Sequence, residues 1–309
     1  MSKRKYKKKR SGNGFAVIVL AFSVVLIVMG GYMAIKSGEA NASSEVENRE
    51  YGQPVQQDEP RQESNREESA KPANHVKHYP ALESVMLPEG LPSQTKEYIG
   101  FTIDFNKDNH TPNYVAWELL GKETTGASGR SNQFWTDPDI EGCPSTKDYT
   151  RSGYDRGHMC PSGDQKWSQE AMEDCFVMAN ICPQKHEINN GAWKTLETKE
   201  RQWAERDSAL MIIAGPIYTE QDRERIGRMG VRVPGAFFKV LLAPYLENPR
   251  GIAFVYPNMT APGNMQDYAM SIDDLEKILG YDFFPSLPDD IENKVESEFS
   301  FKEWNRSRR

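Results

Sequence analysis

The composition of the chain changes abruptly near residue 80, and this change limits which part of the sequence can build a hydrophobic core. Residues 36–80 are rich in Glu, Gln, Asn, Ser and Pro and contain almost no large apolar side chains. Such a segment cannot bury enough apolar surface to offset the entropy of ordering its backbone. Of the 309 residues, we therefore expect 36–80 to be a disordered polar linker and 81–309 to form one folded domain.

The first 35 residues combine a basic cluster with a long apolar run. Residues 1–14 hold seven Lys or Arg and no acid, and residues 15–35 carry no charge. A helix rising about 1.5 Å per residue would span roughly 30 Å over this run, the thickness of a bilayer core. We expect a basic cytoplasmic segment at 1–14 and a transmembrane anchor or signal segment at 15–35.

This pattern also predicts a location for the folded domain. The positive-inside rule keeps the basic residues in the cytoplasm, so the domain of a single-pass cell-membrane protein would lie on the opposite side. The alternative is a secreted protein, because Ala40-Asn41-Ala42 fits a signal-peptide cleavage site.

Apolar runs separated by turn-forming residues predict a mixed fold for residues 81–309. The predicted strands are residues 98–104, 113–120, 209–214, 237–242 and 251–256. The predicted helices are residues 191–206 and 271–280, and the second begins with the capping residue Ser271 and ends at Gly280. We expect an α+β fold with a mainly antiparallel sheet and flanking helices.

Two segments of this domain carry side chains suited to phosphate chemistry. Arg156 and His158 flank a glycine in the first segment. A guanidinium donates forked hydrogen bonds to phosphate, and a neutral imidazole accepts a proton from water. Asn189 and Glu197 follow in the second segment, and amide and carboxylate oxygens suit a hard cation. The pattern indicates metal-assisted hydrolysis of a phosphodiester, although Asn189 also suits a helix N-cap.

These segments resemble the DNA/RNA non-specific endonuclease family, the ββα-metal nucleases that include endonuclease G. The resemblance covers about residues 95–290 and rests on Asp155-Arg156-Gly157-His158, Asn180-Ile181-Cys182-Pro183-Gln184 and residues 189–197. It implies a ββα-metal finger active site and a non-specific endonuclease that cleaves DNA, RNA or both. The implied cofactor is Mg²⁺, with Mn²⁺ as the alternative, and the implied products carry a 5′-phosphate.

The resemblance also implies a role for each candidate side chain. It makes His158 the general base, Asn189 the direct metal ligand, Glu197 a neighbour of the metal-bound water, Arg156 and Arg130 phosphate contacts, and Asn180 a hydrogen-bonding support. An inert structural His158 and a salt bridge from Arg156 to Asp155 are the competing roles. At the level of the whole chain, the alternatives are an inactive relative that binds nucleic acid or a surface partner, and a hydrolase of another phosphodiester.

The charge distribution opposes nucleic-acid binding by the domain as a whole. The net charge is −7, but residues 1–36 contribute +8 and residues 37–79 contribute −4, which leaves −11 for the remainder. Nucleic-acid enzymes usually present a basic footprint. We therefore expect the basic residues near the motifs to gather at one groove.

Four cysteines occur, all within the predicted domain: Cys143, Cys160, Cys175 and Cys182. An even number in an extracytoplasmic domain favours two disulfides, for which three pairings are possible. A thiol nucleophile formed by Cys160 and His158 is disfavoured, because the surrounding motif fits a phosphate site better.

Overall fold

Strands buried on both faces form the centre of the structure. The structure is a computed structural model that describes residues 80–306, all of which fall in one compact unit. Its main sheet has seven strands, and each neighbouring pair runs antiparallel. The predicted α+β class with a mainly antiparallel sheet is confirmed.

The regular elements within residues 80–306 are numbered in chain order. The strands are β1 (Val85–Met86), β2 (Gln94–Glu97), β3 (Thr102–Asn106), β4 (Thr111–Leu120), β5 (Asp155–His158), β6 (Ile181–Gln184), β7 (Ala209–Ile217), β8 (Arg225–Ile226), β9 (Val231–Arg232), β10 (Ala236–Ala243), β11 (Arg250–Pro257), β12 (Ala269–Met270) and β13 (Asp282–Phe283). The α-helices are α1 (Thr146–Tyr149), α2 (Gln169–Asp174), α3 (His186–Ile188), α4 (Lys194–Asp207), α5 (Ile272–Leu279), α6 (Asp289–Ser297) and α7 (Phe301–Trp304).

The main sheet has the spatial order β12-β11-β10-β7-β4-β3-β2. Successive side chains of a strand point to opposite faces, and β10 shows this division clearly. Phe237 and Leu241 join one buried cluster, whereas Phe238 and Val240 join the other. Because both faces of the central strands are buried, the fold needs a covering layer on each side.

Helix α4 covers the first face and brings a charge into the interior. Lys239 of β10 is fully buried, and its Nζ donates to Oε2 of Glu200 on α4 at 3.1 Å. The same ammonium lies 4.4 Å from the ring centroid of Trp193 and 5.5 Å from that of Trp117. A buried lysine needs such compensation, because removing its charge from water is costly.

Helices α5 and α6 cover the second face. Leu275 of α5 and Val295 of α6 pack in the same cluster as Phe238. Helix α5 begins where the Ser271 hydroxyl accepts the amide of Asp274, and it ends at Gly280 with φ of +71°. These are the boundaries that the capping pattern predicts.

The edges of the sheet are short and charged. The strand β12 has two residues, and β2 has four, with half-buried and exposed side chains in alternation. Lys96 of β2 forms ion pairs with Asp137 at 2.7 Å and with Asp139 at 2.9 Å. Side chains therefore occupy the surface next to this outer strand.

The four cysteines are buried and free, so the expected disulfides are absent from the described structure. The predicted anchor at residues 15–35 and linker at 36–80 lie outside the described residues, apart from Pro80. Within residues 80–306, no helix has both the length and the apolar character needed to cross a membrane.

The buried pair between Lys239 and Glu200 yields a stability prediction. Lys239→Met should lower the free energy of unfolding by about 3 kcal/mol, because Glu200 loses its partner inside the protein. The double variant Lys239→Met/Glu200→Leu should recover most of this loss, since no buried charge is then left alone. Urea denaturation measures both values, and a single variant as stable as the wild type would contradict the assignment.

Candidate active site

The segment that carries Arg156 and His158 lies in a two-stranded ribbon followed by a helix. The strands β5 and β6 pair antiparallel, so that Gly157 faces Cys182 and His158 faces Ile181. The chain then enters α3, passes through a wide turn at Asn189–Trp193, and continues as α4. This β-β-α succession is the finger implied by the family resemblance.

Glycine is required within this ribbon. A Cβ added at Gly157 would lie 2.1 Å from Oε1 and 2.7 Å from Cβ of Gln184. Contacts this short are sterically forbidden, and the second involves an atom next to the backbone. The glycine between Arg156 and His158 therefore lets the two strands approach closely.

The entry to α4 is bent rather than regular. Gly191 has φ −110° and ψ −113°, outside the helical region, and the regular helix starts only at Lys194. The predicted helix started at residue 191, three residues before the regular helix. The bend lies between Asn189 and Glu197, so these two residues belong to segments of different direction.

Asp155 fixes the side chain of Asn189. Its Oδ2 accepts the Asn189 Nδ2 group at 2.9 Å and also contacts Nδ1 of His186 at 2.9 Å. With the amide nitrogen held in this way, the Asn189 oxygen is the free end of the side chain, and no hydrogen bond to it occurs within residues 80–306. Such an oxygen is a suitable ligand for a hard cation.

His158 lies between aromatic rings. Its ring centroid is 4.9 Å from Phe176 and 5.5 Å from Phe134, and its backbone carbonyl accepts the indole N–H of Trp193 at 3.3 Å. The Nε2 atom is buried and has no hydrogen-bond partner among the described residues. The backbone and ring of His158 are thus fixed, while one ring nitrogen remains available.

The surroundings of His158 keep its imidazole neutral. Burial, with smaller contributions from the charges of Arg130 and Arg156, lowers the pKa of His158 to about 3. A neutral imidazole is the form that accepts a proton. The side chain is therefore in the protonation state that a general base needs at neutral pH.

Both predicted phosphate-binding arginines flank this histidine. The Arg156 guanidinium stacks on the Phe134 ring at 4.1 Å, and the Arg130 guanidinium lies 5.5 Å from the Phe176 ring. Arg130 also donates to the Ser162 hydroxyl at 3.1 Å. Both arginines are exposed, and neither forms an ion pair within residues 80–306. The competing salt bridge from Arg156 to Asp155 does not form.

Asn180 lies under the finger rather than at its surface. Its side-chain oxygen accepts the amide of Cys160 at 2.9 Å, and its Nδ2 donates to the carbonyls of Cys160 and Cys175, both at 2.9 Å. Asn180 is fully buried. These bonds hold the backbone two residues after His158 in place.

Glu197 lies near a group of charged side chains that includes the buried Asp164 and Lys239. Burial raises the pKa of Glu197 to about 7, although Lys239, Arg201 and Arg130 act in the opposite direction. Below it, Arg201 forms an ion pair with Asp164 at 2.8 Å, next to the Lys239–Glu200 pair. This carboxyl group is close to half-protonated near neutral pH, and added positive charge would favour its ionised form.

The structure thus gathers Arg130, Arg156 and His158 around two phenylalanines, and Arg130 is also close enough to influence Glu197. Neither phenylalanine was predicted from the sequence, because the residues that precede β5 and β6 carry no local motif. Glu200 and Arg201 were not predicted either. Their positions three and four residues after Glu197 place them on the same helix face, which is a usable signal.

Comparison with known proteins identifies the family that this fold and site define. The sequence model of the DNA/RNA non-specific endonuclease family matches residues 78–290. The chain belongs to this family, as the motifs predicted.

Individual relatives agree with this assignment. The mouse protein "Nuclease EXOG, mitochondrial" is 33% identical over 241 residues, which are 71% of this chain and 65% of the relative. The yeast (Saccharomyces cerevisiae) "Mitochondrial nuclease" is 31% identical over 209 residues, 60% of this chain and 63% of that protein. This chain therefore covers less than two thirds of each relative.

A solved structure supports the fold. A chain of the EndoG/EndoGI complex superimposes with a TM-score of 0.59 and 26% sequence identity, covering 63% of this chain and 86% of its own length. The relatives also correct one prediction. The expected location at the cell membrane or outside the cell is wrong, because the mouse and yeast relatives are named as mitochondrial nucleases.

The environment of His158 predicts its titration. A pKa near 3 means that His158 stays neutral down to at least pH 5, as NMR of the imidazole resonances in the folded protein would show. An unfolded histidine binds a proton near pH 6.5, so this residue should make the fold less stable as the pH falls below about 6.5. A His158 midpoint near 6.5 in the folded protein would contradict the assignment.

Proposed function

We propose that the protein is a Mg²⁺-dependent non-specific endonuclease that hydrolyses phosphodiester bonds of DNA, RNA or both. One observation carries the proposal: Nε2 of the neutral His158 has no partner among the described residues, and each of the two phenylalanine rings beside it carries an exposed arginine. Membership in the nuclease family supports it. The names of the mouse and yeast relatives support it too.

Asn189 is the residue proposed to hold the metal. Its amide oxygen is directed away from Asp155, and an oxygen donor with room for water suits Mg²⁺, which keeps several water ligands. Mn²⁺ is the alternative ion. When bound, the cation would stabilise negative charge on the scissile phosphate and on the leaving oxygen. Glu197 would hydrogen-bond to the coordinated water.

The proton transfer is assigned to His158. Its Nε2 accepts a proton from water, and the water oxygen forms a bond to phosphorus as the bond from phosphorus to the 3′ oxygen breaks. By analogy with the family, the product then carries a 5′-phosphate. The Trp193 indole N–H, which donates to the His158 carbonyl, and the two phenylalanine rings orient the imidazole throughout this step.

The two arginines supply local positive charge in an acidic domain. Arg156 and Arg130 flank the histidine and are not neutralised by ion pairs within residues 80–306. Lys185, at the start of α3, lies over the Tyr154 ring at 3.9 Å and adds a third cation near the finger. We assign phosphate binding to these three cations. Salt screens charges that lie far from the bound phosphate, so the nearby cations outweigh the negative net charge of the domain.

The metal assignment predicts opposite results for two neighbouring asparagines. Asn189→Ala should lose at least about 100-fold in activity on plasmid DNA at fixed Mg²⁺, because the ion loses its direct protein ligand. Asn190→Ala is the matched control and should stay near wild type, since its side chain bonds only Lys194 within the described residues. Full activity of the wild type in excess chelator would refute the metal mechanism.

The roles of His158 and Arg156 predict kinetic defects that differ in kind. His158→Ala should lower kcat by about 10²–10⁴-fold with little change in KM, because proton transfer is lost and a neutral group contributes little to polyanion binding. Arg156→Ala should weaken binding or transition-state stabilisation and reduce the salt dependence of kcat/KM.

Steady-state assays with plasmid DNA and with RNA, alongside thermal melts, separate these effects from misfolding. Lys294→Ala, which removes an exposed cation from α6 on the opposite face of the sheet, is the control for loss of charge alone. Wild-type kcat in His158→Ala would mean that another group is the base. Absence of cleavage by the wild type on both substrates would favour an inactive relative that binds nucleic acid.

A further inference from the structure

Five carboxylates meet on the second face of the sheet, far along the chain from the finger. We name them the C-terminal carboxylate cluster: Asp273 and Glu276 of α5, Asp282 of β13, and Glu292 and Glu296 of α6. They form two overlapping groups of three whose oxygen atoms lie within 4.8 Å of one another, and Glu296 belongs to both groups. Three separate elements thus bring their carboxylates to one point.

The central member of the cluster is an interior side chain. Glu296 is only 7% exposed, and its Oε1 is buried without a hydrogen-bond partner among the described residues. The other four carboxylates are half-buried. A carboxylate oxygen removed from water without a partner is costly. Glu296 also lies among four further carboxylates. A cation bound between these groups would compensate the cost of burying its oxygen.

Protein cations do not supply that charge. Within residues 80–306, none of the five carboxylates forms an ion pair with Lys or Arg, and nearby Lys277 pairs with Asp274 outside the cluster at 2.9 Å. Among the described residues, the hydrogen-bond partner of this group is the amide of Phe283, which donates to Oε1 of Glu276 at 2.8 Å. Burial and the neighbouring carboxylates raise the pKa of Glu296 to about 8 and that of Glu276 to about 7.

We propose that the C-terminal carboxylate cluster binds Ca²⁺, with Glu296 as the shared ligand. The donor set contains only oxygen atoms, and neither group includes His or Cys, which argues against zinc and other softer metals. Ca²⁺ accepts six to eight oxygen ligands in flexible geometry, whereas Mg²⁺ demands a regular octahedron and retains its water. Several convergent carboxylates therefore favour the larger ion.

Bound Ca²⁺ would link the elements of the second covering layer. The helices α5 and α6 both pack on β11, and β13 pairs with β1 near the start of the described chain. An ion held between them would tie these elements to each other as well as to the sheet. The site is independent of the proposed nuclease function, because His158 packs in the cluster on the opposite face.

Isothermal titration calorimetry with Ca²⁺ tests the proposal on the full chain after treatment with chelator. The titrations use the Asn189→Ala background, which removes the proposed metal ligand of the finger. We expect saturable Ca²⁺ binding that is tighter than Mg²⁺ binding. Glu296→Gln should weaken Ca²⁺ binding by at least about tenfold, since it replaces a carboxylate ligand with a neutral amide. Asp290→Asn, an exposed acid on the same helix, should leave it unchanged.

Thermal melts with and without Ca²⁺ provide the second measurement. Ca²⁺ should raise Tm in the Asn189→Ala background, because an ion that binds only the folded state stabilises it, and this rise should vanish in Glu296→Gln. Glu292→Gln, which changes a half-buried member, serves if Glu296→Gln does not fold. Absence of Ca²⁺ binding in the Asn189→Ala chain would overturn the proposal. Ca²⁺ binding that neither Glu296→Gln nor Glu292→Gln weakens relative to that chain would overturn it too. Either result would indicate that the carboxyl groups are protonated and hold no ion.

Discussion

The central strands β7 and β10 are buried on both faces, and the remaining architecture follows from this constraint. A sheet with two apolar faces is stable in water only if each face is covered. The finger, with α4, covers one face, and α5 and α6 cover the other. The two faces then take on different chemistry: arginines, a histidine and an amide on the first, and carboxylates on the second.

Helix α4 connects the proposed active site to the core. Its first turn carries Glu197, and the next turn carries Glu200, which compensates the buried Lys239 of the sheet. An ion pair in the interior adds little net stability but strongly penalises arrangements that separate its partners. The pair therefore fixes where α4 lies on the sheet, and with it the position of Glu197 relative to Arg130 and His158.

Local patterns predicted the parts of the molecule that local physics determines. A few neighbouring residues were enough to predict the apolar runs of β7 and β10, the caps of α5 and the Arg156–His158 motif. Contacts between residues that are distant in sequence could not be predicted in this way. The pairing of Glu200 with Lys239 joins residues on different elements, and the packing of Phe134 and Phe176 on His158 depends on the folded path of two loops.

The same limit explains the errors. The bend at Gly191 depends on tertiary packing that a helical pattern does not record. The expected disulfides followed from an extracytoplasmic location rather than from the geometry of the cysteines, and the relatives contradict that location. The C-terminal carboxylate cluster was also missed, because its members are spread over three elements and resemble ordinary surface acids when read along the chain.

The short, charged edges of the main sheet have a consequence for behaviour in concentrated solution. An unpaired strand edge is a template on which another chain can add a strand, a common route to aggregation. Here an incoming strand would have to displace Lys96 from Asp137 and Asp139, and at the other edge it would find only two residues of β12. Protection of this kind should let the domain remain dispersed even though its central strands are strongly apolar.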